Sequence, residues 1–90
     1  MIPQSCLQAY VDRRLVRSDL RVWKHALECL SFYQPRPFKV RSVSRATGMR
    51  FQHVAVSIRR LTEAGYFERG NLPTTQIHTY LLRTTVPTKG

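Results

Sequence analysis

Acidic residues are scarce in this chain. Five Asp and Glu stand against fifteen Lys and Arg, a net charge of +10 over 90 residues. The acids are scattered, so no carboxylate pair suggests general acid–base work or a hard-metal site. Cysteine is nearly absent as well. Cys6 and Cys29 form no CxxC motif, and no HxxxH accompanies them, which argues against structural zinc. Cys29 falls within an apolar helical pattern and reads as a small core residue. His25, His53 and His78 fall on three separate elements, and no Ser-His-Asp or Cys-His arrangement is expected to converge. Four glycines supply no phosphate-cradling loop. No apolar run reaches the length of a membrane span, and no signal-like apolar segment opens the chain. These absences lead to the expectation of a non-enzymatic, cytoplasmic protein, nucleoid-associated if bacterial or phage, with no cofactor, no metal and no membrane role.

What the chain has in quantity is arginine: twelve Arg, against only Lys24, Lys39 and Lys89. Guanidinium groups bind phosphate and guanine bidentately, so this bias favours recognition over mere solubility. Between Glu28 and Glu63 there is no acid at all, while the interval holds Arg36, Lys39, Arg41, Arg45, Arg50, Arg59 and Arg60. A polyanionic partner follows: nucleic acid, an acidic protein or an anionic membrane.

The length admits one domain, and 42% apolar residues suffice to fold it. Residues 1–17 read either as a short helix capped by Ser5, with Leu7, Tyr10, Val11 and Leu15 in one apolar row, or as an extended arm. A firmer helix begins at Ser18 as N-cap, with Asp19 in its first turn. Leu20, Trp23, Leu27 and Leu30 form one apolar row; Val22, Ala26, Cys29 and Tyr33 form another. At this spacing Trp23 is a core residue. The segment QPRP, residues 34–37, ends that helix. Phe38-Lys39-Val40 alternates as a short strand. Ser42 caps a second helix from Val43 to Thr47, and Gly48 supplies the turn that follows. A third helix runs from about Arg50 to Ala64, ended by Gly65, with Phe51, Val54, Ile58 and Leu61 as its buried stripe. Two strands, 66–69 and 76–83, flank the turn-forming GNLPTT as a β-hairpin. Residues 84–90 read as a frayed tail.

The stretch VSRATGMRFQHVAVSIRRLTEAGYFER, residues 43–69, resembles the winged helix-turn-helix family of DNA-binding domains. Ala46 stands before Thr47-Gly48, then Met49, Val54, Ile58 and Leu61 stand at its buried positions, and the helix exit from Glu63 to Arg69 resembles the entry into a wing. The resemblance covers residues 18–83. It implies an α+β winged-helix fold: a three-helix core, a C-terminal β-hairpin wing and a short strand between the first two helices. It also implies that helix 50–64 enters the major groove. The residue chemistry agrees. Opposite the buried stripe stand Gln52, Val56, Arg59 and Glu63, flanked by His53 and Arg60. Gln pairs with adenine and Arg with guanine, while Val56 suits a thymine methyl; His53 stands near the end that reaches deepest. Gln52, His53, Val56 and Arg59 are therefore the candidate base-contacting residues. Arg41, Ser42, Ser44, Arg45, Arg50 and Arg60 are the candidate phosphate ligands. Glu63 is expected to pair with Arg59 or Arg60. Arg69, Asn71, Thr74 and Thr75 are candidate wing contacts, although this wing lacks a basic tip.

The expected function is sequence-specific double-stranded DNA binding by a small transcriptional regulator. The alternatives are a replication, segregation or architectural DNA-binding factor, and a winged-helix module that binds or inhibits a protein partner without any DNA role. A homodimer is expected, because one recognition helix covers half of a typical operator. Residues 1–17, the first helix and the tail are all open as its pairing surface.

Overall fold

The computed structural model describes residues 2–70 and 79–86. The class is α+β: four helices and a three-stranded antiparallel sheet. The helices are α1 (Gln4–Val11), α2 (Arg17–Cys29), α3 (Val40–Thr47) and α4 (Phe51–Glu63). The strands are β1 (Arg36–Pro37), β2 (Phe67–Arg69) and β3 (Thr79–Leu82), in the order β1-β3-β2. Within the sheet Phe67 faces Leu82 and Arg69 faces Tyr80, while Arg36 also faces Tyr80 from the other side. Pro37 is tolerated because β1 is an edge strand.

The centre of the core is aromatic. Trp23 is fully buried, as its spacing predicts. Its ring meets Tyr66 edge-on at 5.1 Å and stacks on Phe67 at 5.9 Å, at the point where α4 hands over to β2. Phe38 and Tyr80 extend the cluster across the sheet. Val22, Ala26, Val43, Met49, Val54, Ile58 and Leu61 complete the packing between the helices. Pairs of this kind add about 0.5–1.5 kcal/mol each beyond simple burial.

Several expected boundaries move, each for a local reason. The N-cap of α2 is Val16, not Ser18; the Asp19 carboxylate accepts the Val16 backbone N–H at 3.1 Å and closes the first turn from inside it. The helix stops at Cys29, one turn short, because the Ser31 hydroxyl accepts the N–H groups of Tyr33 and Gln34. Cys29 and Tyr33 are accordingly exposed rather than core. The strand lies at 36–37 instead of 38–40, with Phe38 buried behind it and Val40 already helical. Lys39, not Ser42, is the N-cap of α3. Gly48 (φ 74°) and Gly65 (φ 95°) take the left-handed conformation at the ends of α3 and α4 that a residue with a Cβ resists.

Within residues 2–17 the short helix forms, but its capping and facing differ from expectation. Pro3 holds the N-cap position, and Ser5 and Ala9 are the buried residues. Leu7, Tyr10 and Val11 point outward, and only Leu15 of the expected row is buried. The tail is anchored as far as residue 86: Ser5 donates its N–H to the Thr84 carbonyl at 3.0 Å, and the buried Val86 donates its own to Gln4 Oε1 at 2.8 Å.

Two acids tie distant segments together. Asp12, 5% exposed, accepts hydrogen bonds from Arg14 Nη2 (2.7 Å) and from the Tyr66 hydroxyl (2.8 Å). Its bond to the Arg14 guanidinium holds its carboxyl at about 2, below the usual 3.8. Burial, and then the Asp12 carboxylate, push the Tyr66 hydroxyl up. Asp19, 0% exposed, accepts from Arg60 Nη1 at 2.8 Å and so pins α4 to the start of α2.

Two predictions follow from these pairs. A carboxyl with a depressed folded pKa contributes stability above its unfolded value and loses that contribution as pH falls. Asp12 therefore contributes stability above roughly pH 4, about 1 kcal/mol with solvent screening of its exposed Arg14 partner, lost as pH drops through 2. In Asp12→Asn, urea titrations at stepped pH will show that part of the acid slope missing. Arg60→Ala strands the buried Asp19 charge and costs about 3 kcal/mol, whereas Arg59→Ala, losing only a surface pair, costs under about 0.5 kcal/mol. Equal midpoints for the two variants in chemical denaturation would contradict this ranking.

Candidate nucleic-acid interface

The candidate surface is built on α3 and α4, which pack on each other across the Gly48 turn. The Ser44 hydroxyl donates to the Met49 carbonyl, and Thr47 Oγ1 accepts the Met49 N–H at 3.3 Å. These bonds, with Val43 and Met49 buried, fix the angle between the helices.

Helix α4 buries Val54, Ser57, Ile58 and Leu61. Gln52, Val56, Arg59 and Glu63 lie on the opposite side, and all four are exposed, as is His53 on the flank. Arg59 Nε lies 3.5 Å from Glu63 Oε1, one turn further on, with both side chains well exposed. An exposed pair of this type is worth little, so Arg59 is free to exchange Glu63 for another acceptor. Phe51, expected in the core stripe, is instead 53% exposed at the first position of the helix. Ser57, which the apolar stripe did not include, is buried beside Ile58.

The phosphate candidates divide. Arg41, Arg45 and Arg50 are exposed, and so is Ser42, within the first turn of α3. Neither α3 nor α4 has a side-chain cap on its amino end, where Lys39 and Arg50 hold the N-cap positions. Lys39, also exposed, joins this set because α3 starts three residues before the Ser42 cap that the sequence suggests. Ser44 spends its proton on Met49, and Arg60 is committed to buried Asp19, so both serve the scaffold.

Arg69 lies on β2 with its side chain toward the surface. Together with Arg59 it lines a groove of about 350 Å³ between α4 and the sheet, floored by Val40, Ala55, Ile58 and Tyr80. One cation from the helix and one from the strand thus line the groove, together with Glu63. Asn71, Thr74 and Thr75 lie outside the described residues.

One pairing was unforeseen. Cys29 Sγ lies 3.4 Å from His25 Nε2, one turn apart on α2, so a Cys–His pair does form. Cys29 sits on the open surface, and His25 lines a cleft with Arg21, Lys24, Glu28, Ala46 and Thr47. Among the described residues, no group of three or more His, Cys, Asp or Glu is placed to hold a metal ion, and no helix is long and apolar enough to cross a membrane. No protein-family model, curated protein or solved structure matches this chain.

Proposed function

We propose that this chain is a winged-helix protein that binds double-stranded DNA in a sequence-specific manner, as a small transcriptional regulator does. The observation that carries the reading is the two-sidedness of α4. One stripe is fixed in the core, and the other presents Gln52, Val56 and Arg59 to solvent beside the acid-free, arginine-rich α3. A helix must be held from behind and polar in front to read base edges, and α4 meets both requirements. It has thirteen residues. At a rise of 1.5 Å per residue it is about 20 Å long, enough to lie across several base pairs of a major groove.

On this reading Gln52, His53, Val56 and Arg59 face the bases. Arg41, Arg45 and Arg50, with the amino ends of α3 and α4, take backbone phosphates. A sugar-phosphate strand lying in the groove between Arg59 and Arg69 would bring the sheet against the duplex as a wing. Phe51 joins this surface and would stack on a sugar or base.

The deciding experiment is selection of bound duplexes from a random pool at near-physiological salt. An enriched motif supports sequence readout. Binding without enrichment points to an architectural, replication or segregation role. Absence of duplex binding overturns the proposal in favour of a protein partner.

The division of labour gives a further prediction. Arg45→Ala weakens selected and random duplexes alike and lowers the slope of log K against log salt by about one. Arg59→Ala preferentially weakens the selected duplex, losing about 1–3 kcal/mol of discrimination. Fluorescence anisotropy titrations across a salt series separate the two, and identical behaviour of the variants would contradict the assignment.

A further inference from the structure

The geometry points to His25 and Cys29 of α2 as a two-donor site for a soft or borderline divalent cation, of the kind that zinc and cadmium represent. The spacing is that of an HxxxH pair with one imidazole exchanged for a thiol. Residues at i and i+4 leave the same face of a helix one turn apart. Cys29 Sγ and His25 Nε2 lie 3.4 Å from each other. A zinc-like ion sits about 2.3 Å from a thiolate sulfur and about 2.0 Å from an imidazole nitrogen. With the donors at the observed separation, those two bonds meet at roughly 100°, near the tetrahedral angle that such an ion prefers. The donors are spaced as a chelate needs.

The pair is also held in position. The half-buried His25 ring stacks on buried Phe38 at 6.2 Å, while its Nε2 edge meets Cys29. Buried Val22, Trp23 and Ala26 fix the helix that carries both donors. Cys29 is exposed and makes no disulfide. His25 borders an open cleft of about 320 Å³, which leaves room for the remaining ligands of the ion.

A second observation concerns charge. Cys29 is the last residue of α2, and the carboxyl end of a helix carries partial negative charge that favours a cation. The last turn of α2 contains no basic residue to supply one. Glu28 adds a negative charge next to Cys29, whereas Arg21 and Lys24 stand further back on the helix and add positive ones. Charge alone therefore selects little, and donor chemistry decides. Sulfur and imidazole nitrogen favour zinc-like ions over calcium or magnesium, which require oxygen. Two protein donors are half of a structural zinc set, and no third is placed beside them among the described residues. Water completes the shell, and the fold does not depend on the ion. Binding replaces the thiol proton by the metal and releases that proton, with no electron transferred. The site rests on α2 and not on the DNA-binding reading, so the failure of either leaves the other standing.

Titration of the reduced full chain with Cd²⁺, followed by the ultraviolet charge-transfer band of a cadmium–thiolate bond, tests it. The wild-type band will saturate and will be removed by competing Zn²⁺. Cys29→Ser will abolish it, and Cys6→Ser will leave it unchanged. His25→Phe keeps a ring against Phe38 but removes the nitrogen donor. It will weaken binding at least about tenfold, because a single thiolate lacks the effective concentration of a chelate. Circular dichroism will show the same helix content in all variants. Absence of the band from wild type, its survival in Cys29→Ser, its loss in Cys6→Ser, or wild-type affinity in His25→Phe would each overturn the proposal.

Discussion

The orientation of α4 rests on one buried carboxylate. Asp19 lies inside the first turn of α2, with no exposed surface, and one oxygen accepts both the Val16 N–H and the Arg60 guanidinium. The first bond starts α2. The second spans 41 residues of sequence and binds α4 to the same point. A buried ion pair is a doubtful source of net stability, since desolvation offsets most of the attraction. What it supplies is geometry. A hydrophobic contact would tolerate rotation of α4 about its axis, whereas a hydrogen-bonded pair fixes which residues face outward. Gln52, Val56 and Arg59 are exposed together because Arg60, next to Arg59 in the chain, is held against buried Asp19.

Using acids internally has a consequence for the surface. Two of the five acids, half-buried Asp12 and buried Asp19, are engaged within the fold by Arg14, Tyr66 and Arg60. The exterior keeps Glu28, Glu63 and Glu68, and Glu63 is in loose contact with Arg59. The field around α3 and the amino end of α4 is therefore more one-sided than composition alone implies. Such a field raises association rates with a polyanion, and it also destabilises the compact state through self-repulsion. The aromatic cluster around Trp23 offsets that repulsion. The Tyr66–Asp12 bond ties the cluster to the α1–α2 link, so the cluster and the internal acids act as one framework.

Much of this was legible in the sequence, and the misses share a cause. The helix order, the hairpin strands, buried Trp23, Gly48 and Gly65 could be read because apolar period and positive φ are local signals. The polar residues misled in both directions. Ser18 and Ser42 look like caps, yet Asp19 caps α2 from its third position and α3 has no side-chain cap. Ser31 ended α2 early by drawing two amides into a turn. Ser57 lies buried where a hydrophobic-only pattern saw nothing, and Phe51, in phase with the stripe, is exposed at the first position of the helix. In α1 the small residues Ser5 and Ala9 allow a close approach to the body, so helix packing there followed size rather than hydrophobicity. Arg60 shows the limit for the site: nothing in spacing separates it from Arg59, and only the position of Asp19 does.

The two outward surfaces differ in character. The α3–α4 face is cationic and suited to a counter-charged partner; the outer face of α1 is apolar, with exposed Arg13 and Arg14 just beyond its end. On the proposed reading the cationic face carries a penalty that its partner removes. Arg41, Arg45 and Arg50 repel one another in the free protein, and backbone phosphates neutralise that repulsion on binding. Binding to the folded state alone would then also raise the stability of the fold, through the same arginines that make the contact.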